Sequence, residues 1–281
     1  MLPPPLAYRS IYATRIGEEA RMEVIIRQNY NEMSQLAAQM VAELLNTKPN
    51  AVLGMATGST PLGLYQELVR MYERGQLDFS RVITFNLDEY VGLPGNHPQS
   101  YGYFMEENFF RHVNVQPQNI NVPSGTTSNY PAFCEWYEKR IAECGGIDLQ
   151  ILGIGSDGHI AFNEPTSSLS SRTRLKTLSK QTIDDNARFF ERREDVPVYA
   201  ITMGVGTILE ARQLLLVASG KAKARAIAQA VEGPVTSMVT ASALQLHRDA
   251  NVVVDEDAAS ELTMHEYYQF IYAAKPAAPR M

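Results

Sequence analysis

A histidine stands among carboxylates in the segment 153–164 of the chain, where Asp157 and Glu164 flank His159. Nearby carboxylates can orient an imidazole, fix its tautomer and raise its basicity, which suits the ring to proton transfer. A capped turn with a structural histidine fits the same residues. A metal centre is less favoured, because no second histidine stands at ligand spacing. The pattern therefore indicates either acid–base chemistry or a capped turn.

Two consecutive carboxylates, Asp88 and Glu89, follow the apolar segment 82–87, which we predict to be a strand. Successive side chains of a strand point to opposite faces, so only one carboxylate is expected to enter a pocket. The alternation does not decide which one. A carboxylate beside a carbonyl-bearing substrate is a candidate base for a carbon-bound proton, whereas a solvated turn needs no such role.

A phosphate-binding turn is one interpretation of the segment 57–61, Thr-Gly-Ser-Thr-Pro. The segment offers backbone N–H groups, hydroxyls and the positive end of a helix. We expect that helix to begin with Thr60 as its N-cap and Pro61 at its first position. A capped strand-to-helix turn fits equally well. The segment is not an ATP-binding P-loop, because no lysine follows Gly58.

The glycines at the start of the histidine segment have the spacing of a dinucleotide-binding loop, Gly153, Gly155 and Gly158. Such a loop opens a helix, but Pro165 and a serine-rich stretch interrupt this one. No acidic residue stands at a strand end about 20 residues further on, where a ribose would need one. We therefore expect no NAD site.

Basic residues cluster at two places in this acidic chain. Arg172, Arg174 and Lys176 alternate with other residues, which predicts a strand with one basic face. That face suits either an anion site or an edge strand protected by charge. A second cationic segment, 221–225, begins a predicted helix, where positive charge opposes the helix dipole. A nearby anion would account for it.

Short apolar runs alternate with helical patterns along the chain. The predicted strands are 51–56, 82–87, 147–154, 198–203, 214–218 and 252–254. The predicted helices are 26–44, 60–72, 100–112, 131–143, 184–192 and 221–232. Strands separated by helices indicate an α/β fold, a single domain whose mostly parallel sheet has helices on both faces. Because ligands bind beyond the carboxyl ends of such strands, we expect the segments 57–60, 88–90, 153–164 and 219–223 to share one rim.

The composition excludes several classes of protein. The 281-residue chain carries a net charge of −6, which argues against nucleic-acid binding held mainly by charge. No apolar run approaches the roughly 20 residues that span a membrane. Cys134 and Cys144 form no CxxC pair, so a reduced, cytoplasmic protein is expected. We expect an N-terminal extension at 1–20, a folded domain at 21–274 and a loose tail at 275–281.

The most specific motifs resemble those of the glucosamine-6-phosphate deaminase family. They are 57–61, 85–90 (Phe-Asn-Leu-Asp-Glu-Tyr) and 155–165 (Gly-Ser-Asp-Gly-His-Ile-Ala-Phe-Asn-Glu-Pro), with support from 170–176 and 231–233. The resemblance covers about 21–254 and implies a modified Rossmann-type fold. It also implies a hydrolase-class enzyme of amino-sugar catabolism that converts glucosamine 6-phosphate and water to fructose 6-phosphate and ammonia. Such an enzyme needs no cofactor and no metal.

The resemblance also implies roles for individual residues. Asp88 resembles the base that moves a proton from C2 to C1 of the sugar. His159, with Asp157 and Glu164, resembles the group that opens the sugar ring. The residues that match the substrate phosphate site are Gly58, Ser59, Thr60, Arg188 and Lys223.

Some members of the family are hexamers that N-acetylglucosamine 6-phosphate activates between subunits. Ser167, Arg174 and Lys176 match that second anion site. The resemblance therefore implies a homo-oligomer, with a hexamer favoured and this acetylated sugar phosphate as candidate activator. The chain departs from the activated members in two ways. Its first 20 residues precede the position where they begin, and Gln269 rather than a tyrosine precedes Phe270.

Two other functions fit parts of the pattern. A 6-phosphogluconolactonase-like hydrolase shares the phosphate turn and a Gly-x-Asp-Gly-His segment, but it lacks the continuation to Glu164 and needs no base at C2. A non-catalytic sugar-phosphate sensor would keep the phosphate turn and lose the acid–base groups. This chain retains both Asp88 and His159, so we expect the deaminase.

Overall fold

The computed structural model of the protein describes residues 21–275. Its strands are β1 (Arg21–Arg27), β2 (Val52–Met55), β3 (Ile83–Asn86), β4 (Asp88–Tyr90), β5 (Ile120–Asn121), β6 (Leu149–Leu152), β7 (Arg174–Thr177), β8 (Tyr199–Thr202), β9 (Gln213–Ala218) and β10 (Asp249–Asp255). Its helices are α1 (Tyr30–Thr47), α2 (Leu62–Glu73), α3 (Tyr101–Asn108), α4 (Tyr130–Glu143), α5 (Lys180–Asn186), α6 (Val205–Leu209), α7 (Ala224–Val231) and α8 (His265–Ala273). The expected extension, 1–20, and 276–281 of the expected tail lie outside the described residues.

Seven strands form one parallel sheet in the order β1-β10-β9-β6-β2-β3-β5. The central strands β2 and β6 are buried along their whole length, as are the last five residues of β9. Strands of this kind are covered on both faces. Helices surround the sheet, and α1 packs against β1, β9 and β10. The predicted single-domain α/β fold with a mostly parallel sheet is therefore confirmed.

A second sheet is antiparallel and has the order β4-β8-β7. It contains the predicted strand at 198–203, so the expectation that this strand joins the parallel sheet is wrong. An apolar run marks a buried strand but does not encode its partner. In this sheet Thr202 pairs with Asp88 on one side and with Arg174 on the other. One row of side chains therefore joins the carboxylate segment to the basic strand.

The first described strand, β1, was not predicted. Helical spacing from Ile26 onwards suggested one continuous helix, but Ile26 belongs to β1 and the helix α1 begins at Tyr30. The side chain of Asn29 caps α1 and accepts a hydrogen bond from the N–H of Glu32 at 3.0 Å. The apolar spacing runs across this cap, so the spacing alone places the helix start too early.

Helix α2 also begins differently from the prediction. Pro61 is its N-cap and makes no side-chain capping bond, so the expected capping role of Thr60 is wrong. A distant side chain supplies the bond instead. The hydroxyl of Tyr30 accepts a hydrogen bond from the N–H of Gly63 at 2.7 Å.

Several predicted elements are shorter than their patterns. The helical pattern at 184–192 corresponds to the end of α5 and to a 3₁₀ turn, Ala187–Phe189. The cationic segment Lys221–Lys223 is a 3₁₀ turn that precedes α7. The basic strand β7 begins at Arg174, whereas Arg172 pairs with Glu138 and Glu210. Arg172 is therefore a structural residue and not part of a free basic face.

Over the range 21–275, no helix has the length and apolar character needed to cross a bilayer.

Candidate active site

The four segments expected at one rim follow neighbouring strands of the large sheet. Strands β9, β6, β2 and β3 are consecutive and parallel, so the chain leaves all of them at the same edge. Segment 219–223 follows β9, 153–164 follows β6, 57–60 follows β2 and 88–90 follows β3. The carboxyl edge of the sheet is thus the place where the candidate residues converge.

Asp88 is a buried carboxylate with an exposed fraction of 6%. Within residues 21–275 its oxygens accept no hydrogen bond that would stabilise the charged form. Burial raises its pKa from the ordinary value to about 8, and the charge of Glu89 adds to the effect. A carboxyl group with this pKa has a high affinity for a proton, which is what a base for a carbon-bound proton requires.

Glu89 is buried too, but its carboxylate is fully engaged by the backbone. It accepts hydrogen bonds from the N–H groups of Tyr90 at 2.8 Å, Tyr101 at 2.9 Å and Gly102 at 2.9 Å. The last two donors form the first turn of α3, where N–H groups lack partners within the helix. Burial raises the pKa of Glu89, and these hydrogen bonds oppose the rise. Glu89 is therefore a structural carboxylate, which leaves Asp88 as the candidate base.

The imidazole of His159 is held by Asp157. The two side chains meet at 2.6 Å, between Nδ1 and Oδ1, and the same carboxylate oxygen accepts the N–H of His159 at 3.2 Å. Burial alone would raise the pKa of Asp157, but the hydrogen bonds and charge of His159 bring it below the ordinary value. Asp157 is therefore a carboxylate that fixes the ring by Nδ1 and leaves Nε2 for a substrate.

Close packing at Gly155 also holds the ring of His159. A Cβ at this position would lie 2.3 Å from the Cε1 atom of the imidazole, closer than carbon atoms approach. The Gly155 N–H donates to the His159 carbonyl at 2.8 Å. The glycine thus serves close packing of a side chain, which is a different role from that of a dinucleotide loop.

Glu164 does not join this pair. Its carboxylate accepts hydrogen bonds from the Ser179 N–H at 2.7 Å and from the Thr182 hydroxyl at 2.5 Å. No hydrogen bond links it to His159 within the described part of the chain. Glu164 is buried and lies against the start of α5. The expected grouping of His159 with both carboxylates is therefore present for Asp157 only.

The turn between His159 and Glu164 is fixed by buried polar side chains. The amide of Asn163 donates to the carbonyls of Ile160 at 3.1 Å and Met203 at 2.8 Å. The hydroxyl of Thr202 accepts the N–H of Phe162 at 3.1 Å. These bonds tie the turn to the end of β8. Sequence reasoning missed Asn163 and Thr202, because their partners are up to 40 residues away.

The turn at 57–60 presents free backbone donors. Gly58 has a φ of +114°, a conformation that favours glycine. Gly58 and Ser59 are exposed and Thr60 is half-buried. Within residues 21–275 the N–H groups of these three residues donate to no protein acceptor. Such a row of free N–H groups suits an anion.

The two cations expected at the phosphate site, Arg188 and Lys223, influence each other electrostatically. Burial lowers the pKa of Lys223, Asp185 raises it, Arg188 lowers it and Asp157 raises it. Lys223 thus interacts electrostatically with both Arg188 and Asp157. The Arg188 guanidinium also lies 4.7 Å above the centre of the Phe189 ring. Two interacting cations suit a phosphate. Asp157, which interacts with Lys223, also holds the imidazole of His159.

The second predicted anion site contains Arg174, a cation that has no carboxylate partner among the described residues. Arg174 donates to the Asn163 side-chain oxygen at 2.9 Å and to the Arg172 carbonyl at 3.2 Å. Burial lowers its pKa. The hydroxyl of Ser167 is buried and has no partner among residues 21–275. Lys176 lies on β7, two residues from Arg174 and on the same face.

No metal centre is formed by residues 21–275, where no three His, Cys, Asp or Glu side chains converge to hold an ion.

Comparison with known proteins places this site in a family. Residues 27–254 match the family model described as glucosamine-6-phosphate isomerases/6-phosphogluconolactonase. A glucosamine-6-phosphate deaminase of Thermoanaerobacter sp. (strain X514) is 53% identical over 239 residues, which cover 85% of this chain and 94% of the relative. A glucosamine-6-phosphate deaminase of Arthrobacter sp. (strain FB24) is 51% identical over 256 residues, covering 91% of this chain and 98% of the relative.

Solved structures show the same relationship. A structure described as a monomeric glucosamine-6-phosphate deaminase superposes with a TM-score of 0.84 and 44% identity, covering 85% of this chain and all of that one. A 6-phosphogluconolactonase from Trypanosoma cruzi has a TM-score of 0.66 and 19% identity, covering 88% and 98% of the two chains. The second likeness concerns the fold alone. The chain belongs to the glucosamine-6-phosphate isomerase/6-phosphogluconolactonase family.

Proposed function

We propose that the protein is a glucosamine-6-phosphate deaminase, which converts glucosamine 6-phosphate and water to fructose 6-phosphate and ammonia. The observation that carries the proposal is that Asp88 and His159 follow the strands β3 and β6 at one edge of the sheet and have different environments. Asp88 is a buried carboxylate of high proton affinity that accepts no hydrogen bond within residues 21–275, and His159 is an imidazole held by Asp157. A reaction that moves protons at both carbon and oxygen uses the two groups separately.

The phosphate of the substrate fits the free N–H groups of Gly58, Ser59 and Thr60, together with Arg188 and Lys223. Backbone donors and cations of this kind bind phosphate with charge-assisted hydrogen bonds. Anchoring the phosphate at the 57–60 turn presents the sugar ring to the acid–base groups at the same edge of the sheet. Proximity of this kind is a large part of enzymatic rate enhancement.

Ring opening is the first proton transfer. A proton leaves the hydroxyl on C1 and a proton reaches the ring oxygen O5, and His159 can carry it because Nδ1 is held by Asp157. The product is the open-chain amino aldehyde. Glu164 follows His159 in the same segment, and its carboxylate is held against the start of α5 by Ser179 and Thr182.

Isomerisation and loss of ammonia follow. Asp88 takes the proton from C2, the C2–H electron pair forms a C1=C2 double bond, and the C1 carbonyl oxygen takes the proton that the ammonium on C2 gives up, which leaves an enolamine. Asp88 returns its proton to C1, which leaves an imine at C2. Water adds to the imine carbon and ammonia leaves, giving the ketone. Because water is consumed when the C–N bond breaks, we assign the enzyme to the hydrolase class.

The positive charge of the amino group supports the role of Asp88. An ammonium on C2 beside this carboxyl favours its ionised form, so substrate binding prepares the base. A lactone hydrolase has neither an amine nor a C2 proton to remove. The relatives of about 50% identity are named as deaminases, whereas the likeness to 6-phosphogluconolactonase concerns fold alone. A sensor without turnover has no use for the high proton affinity of Asp88.

The test is direct. The purified protein is incubated with glucosamine 6-phosphate, and both ammonia and fructose 6-phosphate are measured. Equal amounts of the two products are expected. Hydrolysis of 6-phosphogluconolactone without ammonia release from the amino sugar would replace the deaminase with a lactonase, and tight binding of glucosamine 6-phosphate without products would indicate a sensor.

We further propose that Ser167, Arg174 and Lys176 form a second anion site for N-acetylglucosamine 6-phosphate, in a homo-oligomer for which a hexamer is favoured. Two observations within residues 21–275 support the site: the Arg174 guanidinium contacts only neutral oxygens, and the buried hydroxyl of Ser167 has no partner. The exposed Leu175 on the edge strand β7 supports a subunit contact. Sedimentation with and without this sugar phosphate tests the assembly. A monomer, as described for the solved relative, would overturn it.

We also propose a cytoplasmic location. The thiols of Cys134 and Cys144 are both free, as in proteins of reducing compartments. Fractionation of source cells tests this location.

A further inference from the structure

Tyr30, the first residue of α1, reaches across to the turn at 57–60. Its hydroxyl accepts a hydrogen bond from the Gly63 N–H at 2.7 Å. The same hydroxyl donates to the carbonyls of Ser59 at 3.2 Å and Thr60 at 3.1 Å, which share its single hydrogen. One side chain thus contacts both the turn and the first turn of α2.

These contacts determine where the turn presents its donors. In a trans peptide the C=O and N–H groups point in opposite directions. A Ser59 carbonyl held toward Tyr30 therefore turns the N–H of Thr60 away from Tyr30. That N–H has no protein acceptor within residues 21–275. The hydroxyl of Tyr30 thus fixes the orientation of a donor that it does not touch.

The bond to Gly63 has a second effect. The first N–H groups of a helix are unpaired and attract anions. The hydroxyl of Tyr30 occupies one of these groups in α2 and leaves the donors of the turn itself free. A bound phosphate is thereby directed to the N–H groups of 58–60.

Close packing holds Tyr30 in place. A Cβ at Gly63 would lie 2.4 Å from the Ser34 Oγ and 2.9 Å from the Tyr30 Cζ, so α1 and α2 approach each other closely there. The Asn29 cap fixes the start of α1 beside the tyrosine. The side chain is therefore supported from its own helix and from α2.

We infer that Tyr30 is a positioning residue for phosphomonoester recognition, which holds the 57–60 turn in its phosphate-binding conformation without touching the substrate. The inference rests on the proposed function, because it takes the turn as the binding site of the substrate phosphate. It adds to that function a residue at the start of α1, 29 positions before Ser59 of the turn.

The test is the variant Tyr30→Phe, which removes one oxygen and keeps the ring that fills the gap. The KM for glucosamine 6-phosphate should rise about 3- to 10-fold, the effect of losing one net hydrogen bond, while kcat stays within about twofold. The dissociation constant of inorganic phosphate, measured by titration calorimetry, should rise by a similar factor. Turnover of unphosphorylated glucosamine should be unchanged relative to wild type.

The matched control is Tyr130→Phe. Tyr130 is also a half-buried tyrosine at the first position of a helix, and its hydroxyl makes no hydrogen bond within the described residues. This variant should leave KM, kcat and the phosphate constant unchanged. A Tyr30→Phe protein that loses thermal stability but binds phosphate like wild type would overturn the inference, because the role would then be structural only. An equal loss with glucosamine and with its phosphate would also overturn it.

The deaminase proposal and the inference about Tyr30 can be contradicted by different results. A wild-type protein that binds phosphate but releases no ammonia contradicts the deaminase, and the phosphate titration of Tyr30→Phe then decides the inference alone. A wild-type protein that binds neither phosphate nor sugar phosphate contradicts both.

Discussion

Asp88 and Glu89 are adjacent in the chain, yet their carboxylates lie on opposite faces of the three-stranded sheet. Asp88 pairs with Thr202 and Glu89 pairs with Ile201, so the alternation of β4 separates the two side chains. Glu89 accepts three backbone N–H groups, whereas Asp88 accepts none within residues 21–275. Glu89 thus has a structural role, whereas the carboxylate of Asp88 remains available for proton transfer.

The first prediction concerns the chemistry of Asp88. Asp88→Asn keeps the shape of the side chain but removes the proton acceptor, so ammonia release should fall by about 10²–10⁴-fold. Binding of glucosamine 6-phosphate by calorimetry should stay within about tenfold of wild type. Asp257→Asn, at an exposed carboxylate, is the control and should retain full activity. Substantial turnover by Asp88→Asn would show that another group is the base.

The same substitution should stabilise the protein, with a defined dependence on pH. The pKa of Asp88 in the folded state is about 8, above the ordinary value of 3.8 in the unfolded chain. Between these two values the folded state binds more protons, so the contribution of Asp88 to stability falls as pH rises and is most unfavourable above pH 8. Asp88→Asn removes that cost. Its melting temperature should exceed that of wild type at pH 8.5, by a margin that shrinks toward pH 4.

Calorimetric scans at several pH values check this second expectation. A margin that grows toward acid pH would mean that the pKa of Asp88 is lowered in the folded protein, not raised. A gain in stability with loss of activity is the usual relationship at sites whose function requires an unfavourable group.

Glu89 should influence Asp88 through its charge. Wild-type kcat/KM is expected to rise with pH until about pH 8, because the free protein must ionise Asp88. Glu89→Gln removes a neighbouring negative charge, so the rise should occur at lower pH. The variant also weakens the contacts to the first turn of α3, and its free energy of unfolding should drop by about 1–3 kcal/mol.

Profiles of kcat/KM against pH measure both effects. Glu67→Gln serves as the control, because Glu67 pairs with Arg70 on the surface of α2 and should leave the profile unchanged. If the pH profile of Glu89→Gln coincides with that of wild type, the charge of Glu89 does not raise the pKa of Asp88.

The local part of this site could be predicted from the sequence, and the distant part could not. Asp157 and His159 are two residues apart in one turn, so their spacing indicated the contact that the structure shows. The choice between Asp88 and Glu89 depends on N–H groups 12 and 13 residues further on. A pattern within 82–90 contains no information on those donors.

In the fold, too, local features could be predicted from the sequence and pairings between distant segments could not. Alternating strands and helices predicted the parallel sheet, because periodicity reports burial along a single element. The antiparallel sheet of β4, β8 and β7 depends on pairing between Asp88, Thr202 and Arg174, which lie far apart in the chain. The N-terminal strand β1 was missed, because its apolar residues continue in register into the helix that follows.

Thr182 provides a prediction about Glu164. Its hydroxyl donates to the Glu164 carboxylate at 2.5 Å and ties that group to α5. Thr182→Val keeps the shape but removes one of the two donors that hold Glu164, leaving only the Ser179 N–H, so kcat should fall about 10-fold with little change in KM. Thr182→Ser restores the donor and should restore kcat. If the valine and serine variants have the same kcat, the hydroxyl does not orient Glu164.

The last prediction concerns the coupling between the two anion sites. Arg174 donates to the side-chain oxygen of Asn163, and the amide of Asn163 holds the turn that lies between His159 and Glu164. An anion that draws the guanidinium away would act on that turn, and linkage requires the turn to act on anion binding in return. Arg174→Ala should therefore weaken activation by N-acetylglucosamine 6-phosphate about 10-fold or more.

Activity of Arg174→Ala at saturating glucosamine 6-phosphate should stay within about threefold of wild type, since Arg174 lies outside the proposed substrate site. Arg111→Ala is the matched control, because Arg111 pairs with Glu107 on the surface of the protein and should leave activation intact. Titrations of activity with the acetylated sugar phosphate at low substrate measure the effect. A wild-type enzyme that does not respond to this compound would contradict the second anion site, because Arg174 would then act only as a structural partner of Asn163.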